Sequence, residues 1–471
     1  MAPGAVAEVD GAVPAPRWRV ATWLGPLFPR AGRTNCPVVV RLFGYAGGLA
    51  AMTALALFRQ PGVAATRTLW AEDGVIFYAQ ALSKPFLRSV VTAYNGYDQL
   101  VPRLVAGLAQ AVPVRDVPTV VALAGAVSLS ALGCLVFHMA RGHIASAVLR
   151  VLLVAAMVLL PVANFEMLDN LVNLPWWMFF ATFWALLWRP QGRAGAAVAA
   201  LFCALTAASE PLVVLLMPLA VARAVVVRQP REHAAGLGLA AGLVFQAVIV
   251  AGTKSGHSYP VAGLSSVPGA FGVRVGLGWL TGRRGTAALV GWDRAVTEAL
   301  GALLYAAVVA VGLKLGSRPV RALTVAVAIL APLCFVIPVW LRGAAPAMST
   351  GSSANSIGFA GRYAATPILM VLSAVLAVAG HLASAPRRQS RPGHRPLWVA
   401  GAVCVLLVPA WWADFRDGNA RMYGPTWQSQ LLVASAQCRR WNSDGLARVA
   451  VTPPGDSFVI HCRVLGYRRR A

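Results

Sequence analysis

The sequence predicts an all-α polytopic membrane protein with about eleven transmembrane helices, interfacial amphipathic helices in its first outer loop and a short extracytoplasmic tail. Three observations carry this. Hydrophobic residues make up 58% of the 471 and charged residues only 12%, against roughly 25% charged in soluble domains. Mean hydropathy is +0.66. Apolar stretches of about 15 to 24 residues recur from one end of the chain to the other, most of them able as a helix to cross a hydrocarbon core about 30 Å thick. They leave no room for a large soluble domain.

Residues 1–36 form a basic N-terminal segment, with Arg17, Arg19, Arg30 and Arg33 ahead of the first apolar run. No small-residue cleavage site follows a short apolar region, so the first span is expected to stay in the protein. Candidate spans fall at 37–58, 117–140, 144–162, 174–188, 194–208, 211–227, 234–251, 299–313, 322–341, 363–382 and 397–412. The membrane region is therefore 37–413, with 59–116 as the first outer loop and 414–471 as the tail. Several spans are short, so neighbouring helices or tilt must cover their ends.

With the N-terminus in the cytoplasm, alternate connections fall inside: 141–143, 189–193, 228–233, 314–321 and 386–396, each short and basic. This placement accounts for the net charge of +25 better than nucleic-acid binding does. The expected location is the cell (plasma or inner) membrane, with the tail outside. Cys134, Cys203, Cys334 and Cys404 lie in apolar spans as small buried hydrophobes. Cys438 and Cys462 lie in the polar tail and would be free to pair if it is extracytoplasmic. No CxxC pair or Cys/His spacing suits structural zinc.

The same orientation places Glu72, Asp73, Asp98, Asp116, Glu166, Asp169, Glu210, Asp293, Glu298 and the tail acids outside, and leaves Glu8, Asp10 and Glu232 inside. Outer loops must be polar somehow, so part of this is ordinary. Glu210 is not. Ser209, Glu210 and Pro211 are the whole connection between two apolar spans, which puts the carboxylate at or below the head groups, where an ionisable group is costly and a functional candidate. Other outer features converge on this interface. They are the pair Glu72 and Asp73; Asn164, Glu166, Asp169 and Asn170 in NFEMLDNLVNLPWW; Lys254 and His257 in KSGHSY; and Arg362 and Tyr363 in GRY. Tyr94 and Asp98 begin 94–113, which reads as an amphipathic segment lying in the interface. Residues 267–280, followed by Arg283 and Arg284, read as a second.

Each feature has a plainer reading. Asp73 suits the cap of a helix beginning at Gly74, and 164–170 suits a polar turn. Trp176 and Trp177 fit an aromatic belt, Arg362 a snorkelling flank residue, and His257 an ordinary loop residue. The plain readings do not explain why acids and an arginine crowd the outer ends together. Transfer from a lipid phosphate needs such a set: a carboxylate to take the proton of an acceptor hydroxyl attacking an anomeric carbon, and a fork-shaped, permanently charged arginine to hold the departing phosphate.

On these residues the chain resembles the GT-C fold glycosyltransferases, multi-span enzymes that use polyprenyl-phosphate sugars on the outer face of the membrane. The span pattern carries the resemblance over most of the chain. Glu72 and Asp73, soon after the first span and followed by Phe77 and Tyr78, resemble the family's acidic motif in the first outer loop. That implies a catalytic base, with Asp73 favoured although the order Glu–Asp reverses the commoner one. GRYAATP at 361–367 resembles the arginine-tyrosine-proline pattern of a late helix, which implies that Arg362 contacts the lipid-linked phosphate. The resemblance implies a polyprenyl-phosphate sugar donor, a cell-envelope glycan, lipid or protein acceptor, contact with membrane lipid, and no nucleic acid. No cofactor is implied with certainty. Some members hold a divalent metal, Mg or Mn, for which Glu72, Asp73, Glu166, Asp169 and Glu210 would supply oxygens. The tail departs from the pattern, being too short for a carbohydrate-binding domain of its own; it reads as a helix and a short strand that cap the site. Two other classes stay open: a flippase or transporter of lipid-linked glycans, and a non-catalytic envelope-assembly protein.

Overall fold

The computed structural model describes residues 23–32, 37–253, 264–342, 351–384, 395–441 and 445–467. All eleven predicted spans are helical. In chain order the main helices are α1 (Val38–Arg59), α2 (Leu100–Leu108), α3 (Val117–Met139), α4 (Ala147–Leu159), α5 (Leu174–Leu187), α6 (Arg193–Ala207), α7 (Met217–Val226), α8 (Ala234–Gly252), α9 (Gly278–Trp292), α10 (Arg294–Leu315), α11 (Arg318–Leu341), α12 (Arg362–Ser384), α13 (Arg395–Ala413) and α14 (Trp427–Trp441). Seven are long and apolar enough to cross a membrane: α1, α3, α4, α8, α10, α11 and α12, with the short turns that extend α3, α4 and α8. The segments α5, α6, α7 and α13 are shorter apolar helices.

Burial sorts these helices. Every residue of α5 is buried, and the aromatic rings of Phe179, Phe180, Phe183 and Trp184 fill the centre of the bundle. A helix apolar on all sides belongs in such a core, and its neighbours make up for its length. Trp176 and Trp177, expected in an aromatic belt, are buried with it instead. At the opposite extreme α1 turns Val38, Val39, Val40, Leu42 and Phe43 outward, the disposition of a helix whose apolar surface meets lipid. Close approach needs small residues: a side chain at Gly238 or Gly242 of α8 would collide with the backbone of Ala200 and Ala204 in α6.

The two ends of the bundle differ chemically. At one end Glu232 is held by Arg189 at 2.5 Å and by Arg30 at 3.9 Å. Beside it the buried Arg223 donates to the carbonyls of Leu186 and Trp188 at 2.7 and 2.6 Å. The predicted basic connections 189–193 and 228–233 meet here through the Arg189–Glu232 pair, whereas most of 386–396 lies outside the described residues. The acids gather at the other end.

That second end is roofed by the loop after α1 (59–116) and the tail. After α1 the chain enters a π-helical turn, Asp73–Tyr78, and then the short helices Ala79–Ser83 and Phe86–Val90 before α2. The tail adds α14 and a hairpin of β1 (Leu446–Ala450) and β2 (Ser457–His461), antiparallel with Arg448 opposite Val459. Where one strand was expected there are two. A disulfide joins Cys438 to Cys462, and residues of loop and tail share a core that includes Leu69, Tyr78, Trp427, Phe458 and Ile460. The second expected interfacial segment is also different: Gly272–Leu277 is buried throughout, because Gly272 and Gly276 let it pack directly on the α10 backbone at Gly301.

Candidate functional site

Beneath this roof lies a cavity of about 570 Å³. Its wall comes from helix ends and loops that meet there: Trp70, Ala71 and Glu72 of the first loop, Tyr94, Asn95, Tyr97 and Gln99 ahead of α2, and Glu166, Val172, Asn173 and Trp176 leading into α5. Glu210, Leu212, Arg342, Phe359, Ala360, Arg362 and Tyr363 complete the wall from the helix bundle, and Pro453 and Asp456 reach in from the tail.

Six of the predicted site residues line this space together: Glu72, Tyr94, Glu166, Glu210, Arg362 and Tyr363. Arg362 opens α12 and pairs with Glu166, its Nη1 at 3.1 Å from Oε2 and its backbone N–H at 3.4 Å from Oε1. With its side chain 32% exposed and its five N–H donors not all spent on one carboxylate, Arg362 keeps capacity for a second anion. Its guanidinium lies over the Tyr363 ring, 5.1 Å from the centroid, and that ring meets Trp176 edge-on at 5.3 Å. Glu210 caps the turn that follows it by accepting from the N–H of Leu212 at 3.1 Å. Burial pushes its carboxyl up to about 7, against the Leu212 N–H, Arg342 and Arg362, which favour the charged form.

Five predicted residues lie behind the wall. Asp73, the favoured base, is fully buried and takes the N–H groups of Leu171 and Val172 on its two oxygens, both at 2.9 Å. Burial lifts it to about 7, opposed chiefly by those N–H bonds and Arg421. Asp98 is buried against Arg103, whose Nε lies 3.3 Å away, and its backbone is clasped on both sides by the Gln246 amide at 3.0 and 2.7 Å. Asp169 is buried in a left-handed conformation, φ 57, with its carbonyl accepting from Arg421 at 3.1 Å; burial raises its carboxyl to about 6. Asn164 donates to the carbonyl of Asp417 at 2.8 Å, and Asn170 folds the loop on itself through Glu166, Leu168 and Asn173. Lys254 and His257 lie outside the described residues.

Buried arginines hold this end in shape, a role that loop charge alone does not reveal. Arg274 donates to the carbonyls of Ser356, Ile357 and Phe359 at 2.7, 2.8 and 2.7 Å, fixing the segment that delivers Arg362. That segment includes Ala360 at φ 55, a left-handed residue beside the site that strong bracing can sustain. Arg59 donates to Val158, Leu160 and Phe415. Arg421 bonds Ala65, Thr68 and Asp169 and lies over the Trp70 ring at 5.3 Å, joining the tail, the first loop and the connection between α4 and α5. Each binds backbone carbonyls that irregular chain leaves without helical partners.

Several wall residues had no motif to announce them: Trp70, Tyr97, Gln99, Arg342, Phe359 and Asp456. One signal was available. Arg342 ends α11 at the same end where Arg362 begins α12, and its guanidinium lies over the Tyr97 ring at 5.2 Å. An arginine on the side opposite the basic connections stands out against the charge rule for loops. For a divalent ion the fit is poor, since no group of three or more His, Cys, Asp or Glu ligands comes together among the described residues and Glu166 is engaged by Arg362. No protein-family model, curated protein or solved structure matches the chain.

Proposed function

We propose that the chain is a membrane glycosyltransferase of GT-C type that moves a sugar from a polyprenyl phosphate to a cell-envelope acceptor at the outer face of the cell membrane. The observation that supports this reading is one cavity holding an accessible carboxylate, Glu72, with two arginines, Arg342 and Arg362, and a set of aromatic rings. Aromatic faces suit sugar rings, and forked guanidinium groups suit phosphate oxygens.

The step balances with these groups. Glu72 accepts the proton of the acceptor hydroxyl as that oxygen bonds to the anomeric carbon. The bond from the anomeric carbon to the phosphate oxygen breaks, its electron pair leaves with the polyprenyl phosphate, and the arginines hold that anion. Glu72 takes the role first expected of Asp73, because Glu72 borders the cavity whereas Asp73 is enclosed by Leu171 and Val172. The lipid chain lies along the apolar helix surfaces below.

The test is sugar transfer or donor hydrolysis by purified protein in nanodiscs, offered a panel of polyprenyl-phosphate sugars, with wild type beside Glu72→Gln. Turnover by wild type that is lost in the variant is the expected result. A folded wild type that binds polyprenyl phosphate and turns over no donor in the panel would refute the proposal.

A further inference from the structure

Two wall residues carry unfilled hydrogen-bond capacity. The Trp70 indole N–H and the Gln99 side-chain oxygen are buried and find no partner among the described residues. Buried polar atoms without partners are uncommon, and a donor and an acceptor of this kind in one wall suit a ligand that both donates and accepts, as a sugar hydroxyl does. Trp70 is also the point where the tail is stitched to the first loop. The N–H of Ala71 donates to the Thr452 carbonyl at 2.6 Å and the N–H of Thr452 to the Leu69 carbonyl at 2.8 Å, immediately before Glu72. From that junction the chain turns through Pro453 to Asp456, both in the cavity wall, and closes when the Val451 N–H bonds the Asp456 carbonyl at 3.0 Å. The Asp456 side chain is exposed there. Behind it, Trp427 stacks on Phe458 at 6.4 Å and donates to the Val114 carbonyl at 2.7 Å, and the Cys438–Cys462 disulfide ties α14 to the end of β2.

We propose that Trp70 and Asp456 form the acceptor half of the cavity, binding a neutral sugar unit of the acceptor by indole N–H and carboxylate, and that the disulfide-closed tail is the part that positions them. The proposal rests on the transferase reading for the identity of the acceptor as a sugar. A carboxylate accepts two hydroxyls of a neutral sugar and repels an anionic one, so uncharged glycans are preferred over uronic acids. The tail is thereby a wall of the site, and a chain that cannot oxidise Cys438 and Cys462 loses acceptor before it loses the membrane fold.

The experiment is calorimetric titration of the full chain in nanodiscs with neutral tetrasaccharides of glucose, galactose and mannose and with a tetragalacturonate. Wild type is compared with Asp456→Ala, with Trp70→Phe, which keeps the ring and removes the N–H, and with the double variant Cys438→Ser, Cys462→Ser. Wild type is expected to bind a neutral member and to refuse the uronate. Asp456→Ala should weaken binding about tenfold or more and Trp70→Phe several-fold, as charged and neutral hydrogen bonds differ, at an unchanged unfolding midpoint. Equal affinity in wild type and Asp456→Ala, or no neutral sugar bound by wild type, would overturn it. Neutral-sugar binding that needs Asp456 in a protein that turns over no donor would sink the transferase reading and the acceptor role with it, and leave Trp70 and Asp456 as a neutral-sugar binding site.

Discussion

The wall of the cavity and the layer packed just beneath it hold the same kind of residue for opposite purposes. Glu72, Glu166 and Glu210 border the cavity, Glu166 and Glu210 while themselves largely buried, whereas Asp73, Asp98 and Asp169 are buried in the layer below and line none of it. In that layer the short side chains keep their carboxylates near the backbone, where Asp73 and Asp98 serve as joints between loops. Glu72 and Asp73 are neighbours in sequence, yet consecutive residues of a helical turn point about 100° apart. One therefore faces the cavity and the other the α5 approach. Adjacency in sequence carried the acidic motif and concealed that its two members do different work.

The largest expected effect separates these neighbours. Glu72→Gln should lower transfer about 10²- to 10⁴-fold, the usual contribution of a positioned base, with an unchanged unfolding midpoint. Asp73→Asn should act in reverse. Its amide accepts one of the Leu171 and Val172 N–H groups and presents an NH₂ to the other, so stability should fall by ~1–3 kcal/mol while each folded molecule keeps most of its turnover. Rates and thermal unfolding of both variants decide it; an inactive but fully stable Asp73→Asn would return the base to Asp73 and break the contrast between wall and layer.

A second pair sharpens the same contrast among arginines. Arg362→Lys keeps a charge in the wall but loses the fork, and donor affinity should drop about tenfold, measured by titration with a polyprenyl-phosphate sugar. Arg274→Lys, in the layer, cannot hold three carbonyls in the Arg274 geometry and should lower the unfolding midpoint first. Matching losses of donor affinity and of stability in both variants would show that wall and layer cannot be told apart in this way.

Much of this was legible before the structure because its causes are local. Apolar runs of spanning length became helices, and Glu210 and Arg362, each standing where an ionisable group needs a reason, came together in one cavity wall. Cys438 and Cys462, alone in the polar tail, do pair. What was hidden depends on contacts between segments distant in sequence. The enclosure of Asp73 by Leu171 and Val172, the alignment of Thr452 with Trp70, and the burial of Arg274 under 356–359 leave no periodic trace. The burial of Trp176 and Trp177 follows from α5 being central, which a single helix does not declare about itself.

The smallest effect concerns how a wall acid tunes the arginines beside it. Burial raises the Glu210 carboxyl to about 7, and the groups facing it are the Leu212 N–H, Arg342, Arg362 and the Tyr97 phenol. Below about pH 7 Glu210 is protonated and the wall is more positive. Above it the added negative charge competes for Arg342 and Arg362 and repels phosphate. A polyprenyl-phosphate sugar is a diester with no group of its own titrating there, so its affinity should fall several-fold as pH rises through about 7. Glu210→Gln fixes the neutral form and should flatten the curve at its low-pH level. A wild-type curve that is flat would mean that Glu210 keeps one protonation state across this range, and one that rises with pH would mean that its charge does not govern the arginines; either removes Glu210 as the tuning group.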